Sequence, residues 1–154
     1  MNLAEEDIEL LTAARQATLA TTRSDGSVRL LPICYAVDRN AAAGTLTLYS
    51  AIDEKPKRVA RLDDLGRVRD IRVRPAVTVM VDRWDEDWRR LAWVMLRGRA
   101  EILHDGAEHD AAQRRLRERY PQYRAMDLAP LPVIALRIAR ATSWGDLAGG
   151  DLEE

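Results

Sequence analysis

Apolar and polar positions along the chain change period several times, and each change marks an element. Residues 4–15 put Leu3 or Ala4, Ile8 and Leu11 on one face, which predicts an amphipathic helix. Residues 17–23 alternate instead and read as a strand. Ser24-Asp25-Gly26 is a turn with glycine free to take positive φ, and residues 27–38 are a second strand, so the two make a β-hairpin. From Leu30 to Val37 both alternating faces are apolar. A second layer or a partner subunit must therefore cover this strand on both sides. After a small-residue turn over 40–44, residues 45–51 form a third strand.

Pro56 suits the first turn of a helix carrying Val59, Leu62 and Leu65, interrupted near Gly66. Pro75 favours extended backbone at Arg74, and residues 76–82 follow as a strand apolar on both faces. Residues 84–90 are a polar excursion with one helical turn. Residues 91–103 are a long strand with Gly98 as a bulge, 106–119 a charged helix stopped by Pro121, and 132–142 a final strand. Six short antiparallel strands with apolar residues on both faces predict a mainly β (α+β) domain, a closed or split barrel with peripheral helices. The domain covers 1–145, and 146–154 is an acidic flexible tail.

With 154 residues and a net charge of −1, nothing global favours nucleic acid or an anionic membrane as partner. Cys34 is alone in an apolar run, so no disulfide framework exists and a reducing interior is expected. No apolar stretch reaches 18 residues, which predicts a soluble, cytoplasmic protein without a membrane partner. The only histidines, His104 and His109, lack zinc-ligand spacing, so no metal is expected. There is no Ser/His/Asp set, no Gly-rich phosphate loop and no dinucleotide fingerprint. The acidic pairs Asp63-Asp64 and Asp85-Glu86-Asp87 fall in polar turns. No catalytic side chain is assigned; a bound cofactor would bring the reactivity to a small-molecule substrate.

Charge is unevenly placed. From Lys55 to Pro75 there are eight basic residues against three acidic ones, and both lysines of the chain, Lys55 and Lys57, lie within Asp53-Glu54-Lys55-Pro56-Lys57-Arg58. A strand end, a cationic loop and a helix N-terminus in succession make an anion seat, for which a phosphorylated cofactor is the first reading. A solvated turn between two elements is the plain alternative.

Ala17-Thr18-Leu19-Ala20-Thr21-Thr22-Arg23-Ser24-Asp25-Gly26, Arg29-Leu30-Leu31-Pro32-Ile33, and Leu48-Tyr49-Ser50-Ala51 with Lys55-Pro56-Lys57 resemble the pyridoxamine 5′-phosphate oxidase-like flavin-binding proteins. Arg74-Pro75-Ala76-Val77-Thr78-Val79, Asp82, Asp87-Trp88, the run from Trp93 to Ala100, and Arg119-Tyr120-Pro121-Gln122-Tyr123 resemble a branch that uses the deazaflavin coenzyme F-420. The resemblance covers about residues 15 to 145 and implies a six-stranded split β-barrel working as a homodimer, with cofactor sites at the subunit interface. It implies that Leu31, Pro32 and Ile33, with Tyr49, Ser50 and Ala51, border the ring. Lys55, Lys57 and Arg58 would hold the phosphate, and Trp88, Trp93 and Trp144 would come from the partner or fill the dimer core. Flavin mononucleotide (FMN) is the alternative cofactor, and a non-catalytic carrier the alternative role. Two departures argue against a pyridoxamine phosphate oxidase proper: no Lys follows Arg29 on the second strand, and nothing basic follows Trp144.

Overall fold

The computed structural model describes residues 3–40, 42–52 and 65–147. Helix α1 (Glu5–Ala13) leads into β1 (Ala17–Thr22), β2 (Val28–Ile33), β3 (Ala36–Asn40) and β4 (Thr45–Ala51). Helix α2 (Gly66–Val73), β5 (Ala76–Arg83), a 3-10 turn at Trp88–Arg90, β6 (Ala92–Leu103), α3 (Ala107–Arg119), a second 3-10 turn and β7 (Val133–Gly145) follow. The strands form one sheet in the order β2-β1-β5-β6-β7-β4-β3, with every neighbouring pair antiparallel. The described part is thus mainly β with a few helices. Seven strands replace the six expected, and they do not close into a continuous ladder.

The extra strand comes from a break. Residues 27–38 read as one strand, but Cys34 and Tyr35 fall outside the ladders, and the halves on either side pair with different neighbours. Tyr35 is fully buried there; its N–H donates to the Tyr120 hydroxyl at 3.1 Å and its own hydroxyl to the Leu11 carbonyl at 2.5 Å. Because β2 and β3 are opposite edges of the sheet yet two residues apart, Ile33 and Ala36 are at most roughly 11 Å apart. The sheet must curl until its edges approach. That is the geometry of a split barrel.

Alternation decides what fills the curl. Leu19, Leu46, Leu48, Val79, Val81, Val94, Leu96, Ile134 and Leu136 point inward and are almost completely buried. Leu10 and Leu11 of α1 pack into this core, as do Leu65, Val68 and Ile71 around α2. A second cluster lies where α3 and the turn after it cover β3, β4 and β7, with Leu116, Tyr120, Tyr123 and Leu128 against Tyr49, Val133 and Ala135. Arg119 ties the helices together: it donates to the Leu11, Thr12 and Ala14 carbonyls at the end of α1 and stacks over the Tyr35 ring at 4.8 Å.

Where α3 does not reach, the outer face of β1, β2, β5 and β6 has no cover among the described residues. Val28 and Leu30 are 59% and 65% exposed, so the described residues do not supply the second layer expected over this strand. The register places Pro32, Thr18, Met80, Met95 and Thr142 in one row across this face. Asp82, Trp93 and Trp144 form the next.

Candidate cofactor site

Among the described residues, two strand edges lack a partner on either side of the Cys34–Tyr35 link. β2 pairs only with β1, and its Pro32 has no N–H to offer, as suits an edge strand. The β3–β4 ladder stops at Ala36↔Tyr49, leaving Ser50 and Ala51 without a β3 neighbour. Unpaired backbone N–H and C=O groups of this kind can hydrogen-bond a flat heterocycle laid along the gap. Ile33 is within roughly 16 Å of Tyr49, being three residues from Ala36, which pairs with it.

Side chains at the gap turn inward more than the sequence suggests. Ile33 is buried in the barrel core, Leu31 packs against it, and only Pro32 of the three is exposed. Tyr49, Ser50 and Ala51 are all buried, Tyr49 and Ala51 in the cluster beneath α3. What these strands can present to a ligand is therefore largely backbone.

Tyr49 is committed elsewhere. Its hydroxyl donates to Glu108 Oε1 at 2.8 Å, and Arg137 donates to both Glu108 oxygens and, at 3.0 Å, to Glu101. Burial, reinforced by the Glu108 bond, pushes the Tyr49 phenol up to about 12. Arg137 holds Glu108 below the usual carboxylate range. The folded state thus favours neutral Tyr49, whereas an unfolded tyrosine ionises near 10. Its contribution is complete below pH 10 and is lost as pH rises toward 12. Tyr49→Phe should accordingly show a shallower fall of thermal midpoint across that window than the wild type; identical slopes would remove Tyr49 from the alkaline transition.

Lys55, Lys57 and Arg58, together with Asp63 and Asp64 and the helix expected through Val59 and Leu62, lie outside the described residues. The helix expected to be interrupted near Gly66 is described from Gly66 onward. Arg29 stands beside that start. Its Nε donates to Asp70 Oδ2 at 2.9 Å, and the Thr21 hydroxyl donates to the same oxygen at 2.7 Å. A Cβ on Gly66 would overlap the Arg29 guanidinium, so glycine here is what lets Arg29 lie against α2. Arg29 was not singled out as a site residue; its only sequence signal was an arginine on an otherwise apolar strand.

The tryptophans gather at one end of the sheet. Trp93 and Trp144 face each other across β6 and β7; Trp144 is 55% exposed, and Trp88 is 70% exposed in the turn before β6. Trp84, which carried no sequence expectation, is exposed nearby at the end of β5. Asp85 and Asp87 hold local turns: Asp85 accepts from the Asp87 N–H at 2.7 Å, and Asp87 binds Arg89. Among the described residues no group of His, Cys, Asp and Glu could hold a metal ion, and no helix is long and apolar enough to cross a membrane.

The model of the pyridoxamine 5′-phosphate oxidase family matches residues 3–145. The chain belongs to this family. Among solved structures, a conserved hypothetical protein from Mycobacterium tuberculosis superposes with a TM-score of 0.70 at 21% identity, over 100% of this chain and 91% of that one. An F420 reductase is similar with a TM-score of 0.60 at 23% identity, over 86% and 93%. A FAD-binding protein from Mesorhizobium loti is similar with a TM-score of 0.63 at 26% identity, over 92% and 94%. No curated protein matches the chain in sequence. The family fixes a flavin-binding type of fold and, with it, the broad class in which oxidoreductases are common.

Proposed function

We propose that the chain is an oxidoreductase subunit that binds the deazaflavin coenzyme F-420 in the gap between β2 and the end of β4. The observation carrying this is the meeting of two unpaired edges at Cys34–Tyr35, with the lysine segment beginning just past Ile52 in sequence. The similarity to an F420 reductase supports the choice of cofactor. When bound, the reduced deazaflavin supplies a hydride to a small organic electrophile, with the balancing proton drawn from solvent.

The chain's own share is position and charge. Leu31, Pro32 and Ile33 on one edge and Tyr49, Ser50 and Ala51 on the other would hold the ring plane through their backbone. Lys55, Lys57 and Arg58 would hold the phosphate, supported by Arg29, whose orientation Asp70 sets. The uncovered face bearing Leu30, Met80, Met95 and Trp93 is where a second copy would dock. Its Trp88 and Trp144 would then reach the partner's gap, making the active form a homodimer.

FMN is the second reading, favoured by the 26% identical FAD-binding neighbour. Against it stands the run Leu30-Leu31-Pro32-Ile33-Cys34 after Arg29, which has no lysine where the FMN-binding oxidases of the resembled family carry one a few residues after an arginine. Titrating the apo-protein with each cofactor separately, by fluorescence, decides between them. One charge-assisted bond to phosphate contributes roughly 1.5–3 kcal/mol. Lys57→Ala should therefore weaken binding about 10- to 150-fold. Unchanged affinity would remove Lys57 from the site, and turnover absent across quinones, enones and nitro compounds would leave a carrier.

A further inference from the structure

A cleft of about 270 Å³ opens between the β1–β2 turn and the outer side of α2, lined by Arg23, Asp25, Arg29, Arg69, Asp70 and Arg74. Both carboxylates in it are already engaged. Asp70 is buried and accepts from Thr21 and Arg29. Asp25 accepts from the Ser27 N–H at 2.9 Å and the Ser27 hydroxyl at 2.6 Å, closing the turn. Although it lies on the arginine-rich helix α2, Asp70 faces inward, to β1 and β2. Arg23, Arg69 and Arg74 make no side-chain hydrogen bond or ion pair among the described residues, and they come from two separate elements. Attraction to the C-terminal end of α2 accounts for a cation at Arg74, but not for Arg23 arriving from the hairpin.

We infer that this cleft binds a small multivalent anion, with Arg23, Arg69 and Arg74 each meeting a carboxylate or phosphate group. Guanidinium forks suit such groups because they form two parallel charge-assisted bonds. Asp25 interacts with Arg23 and offsets one of the three positive charges, which leaves a cationic surplus at Arg69 and Arg74. The Arg29–Asp70 pair forms an internally neutral wall and Asp25 offsets Arg23, so the ligand's charge is matched by the surplus of the outer arginines. The anionic groups have two possible sources: an acidic extension of the cofactor proposed above, or a separate polyanionic metabolite. Only the choice of source rests on the cofactor reading; the cleft itself does not.

The test is calorimetric titration of the full chain with inorganic pyrophosphate and with citrate. The wild type should bind at least one of them saturably, and Arg69→Gln/Arg74→Gln should bind about tenfold more weakly or worse. Neither side chain has a partner among the described residues, so the anion-free melting temperature of this variant should match the wild type; should it not, Arg23→Gln on the hairpin gives the same reading independently. Arg97→Gln, on the outer face of β6, should bind as the wild type does. Non-saturable binding, or an equal loss in Arg97→Gln, overturns the proposal. A second arm compares F-420 with its tail-less, phosphate-free deazaflavin core. If the double variant loses affinity for F-420 alone, the anion belongs to the cofactor. If F-420 affinity is unchanged while citrate or pyrophosphate binding is lost, the ligand is separate. A wild type that binds the small anions but no deazaflavin would retain the cleft and refute the cofactor reading.

Discussion

Gly98→Ala is expected to destabilise the protein by about 3–5 kcal/mol, enough to lower the melting temperature by on the order of 10 °C. A Cβ at this position would overlap the carbonyl oxygen of Arg137 and lie 2.9 Å from the Cα of Ile138. Both are backbone atoms of β7. A side chain could rotate away, but this backbone is held by a ladder running from Ala92↔Gly145 to Leu103↔Val133. The register shift falls between Arg97 and Gly98, so the two strands approach closely just where the bulge is absorbed. Gly26→Ala is the comparison. It has positive φ but open space around it, and strain alone should limit its cost to about 1 kcal/mol. Thermal unfolding of the two variants side by side checks the contrast, and a Gly98 loss no larger than the Gly26 loss would show that β7 yields.

Asp70→Ala should cost about 2–4 kcal/mol and weaken cofactor binding as well. The carboxylate is buried and has two donors, so its removal leaves the Thr21 hydroxyl unsatisfied and the Arg29 guanidinium unpaired. Arg29 retains 25% exposure of its side chain, so water recovers part of its solvation and keeps the loss below the top of the range for broken buried pairs. The Thr21→Val/Asp70→Ala double-mutant cycle in denaturant should give a coupling of about 1 kcal/mol. Additive effects would mean that the three residues do not act as a unit. The affinity loss follows from orientation, since an Arg29 released from Asp70 no longer lies against Gly66 where α2 begins.

Much of the fold was legible because one face of nearly every strand is buried. Val77, Val79 and Val81 alternate with Thr78 and Met80, and period two followed directly. Gly98 stood out as a glycine inside a strand, which signals a bulge. The break at Cys34–Tyr35 was not legible: apolar residues run straight through it, and the nearby Pro32 suits an edge strand without marking where the strand ends. What bends the chain there is tertiary, the burial of Tyr35 against Leu11 and Tyr120. Arg29 and Asp70, 41 positions apart, could not be paired from sequence, since no local pattern links an arginine on β2 to an aspartate on α2. The strands bordering the gap were identifiable, but the inward turn of Tyr49 was not, because its partners Glu108 and Arg137 lie far along the chain.

The position of β7 between β6 and β4 has a consequence for biosynthesis. The β3–β4 hairpin has no neighbour in the sheet except through this strand, which emerges last of the seven from the ribosome. A nascent chain that stops short of residue 133 holds two disconnected pieces, each with an apolar flank open to water and to other chains. Until those final residues appear, the barrel interior cannot be sealed, and chaperone shelter matters most during that interval.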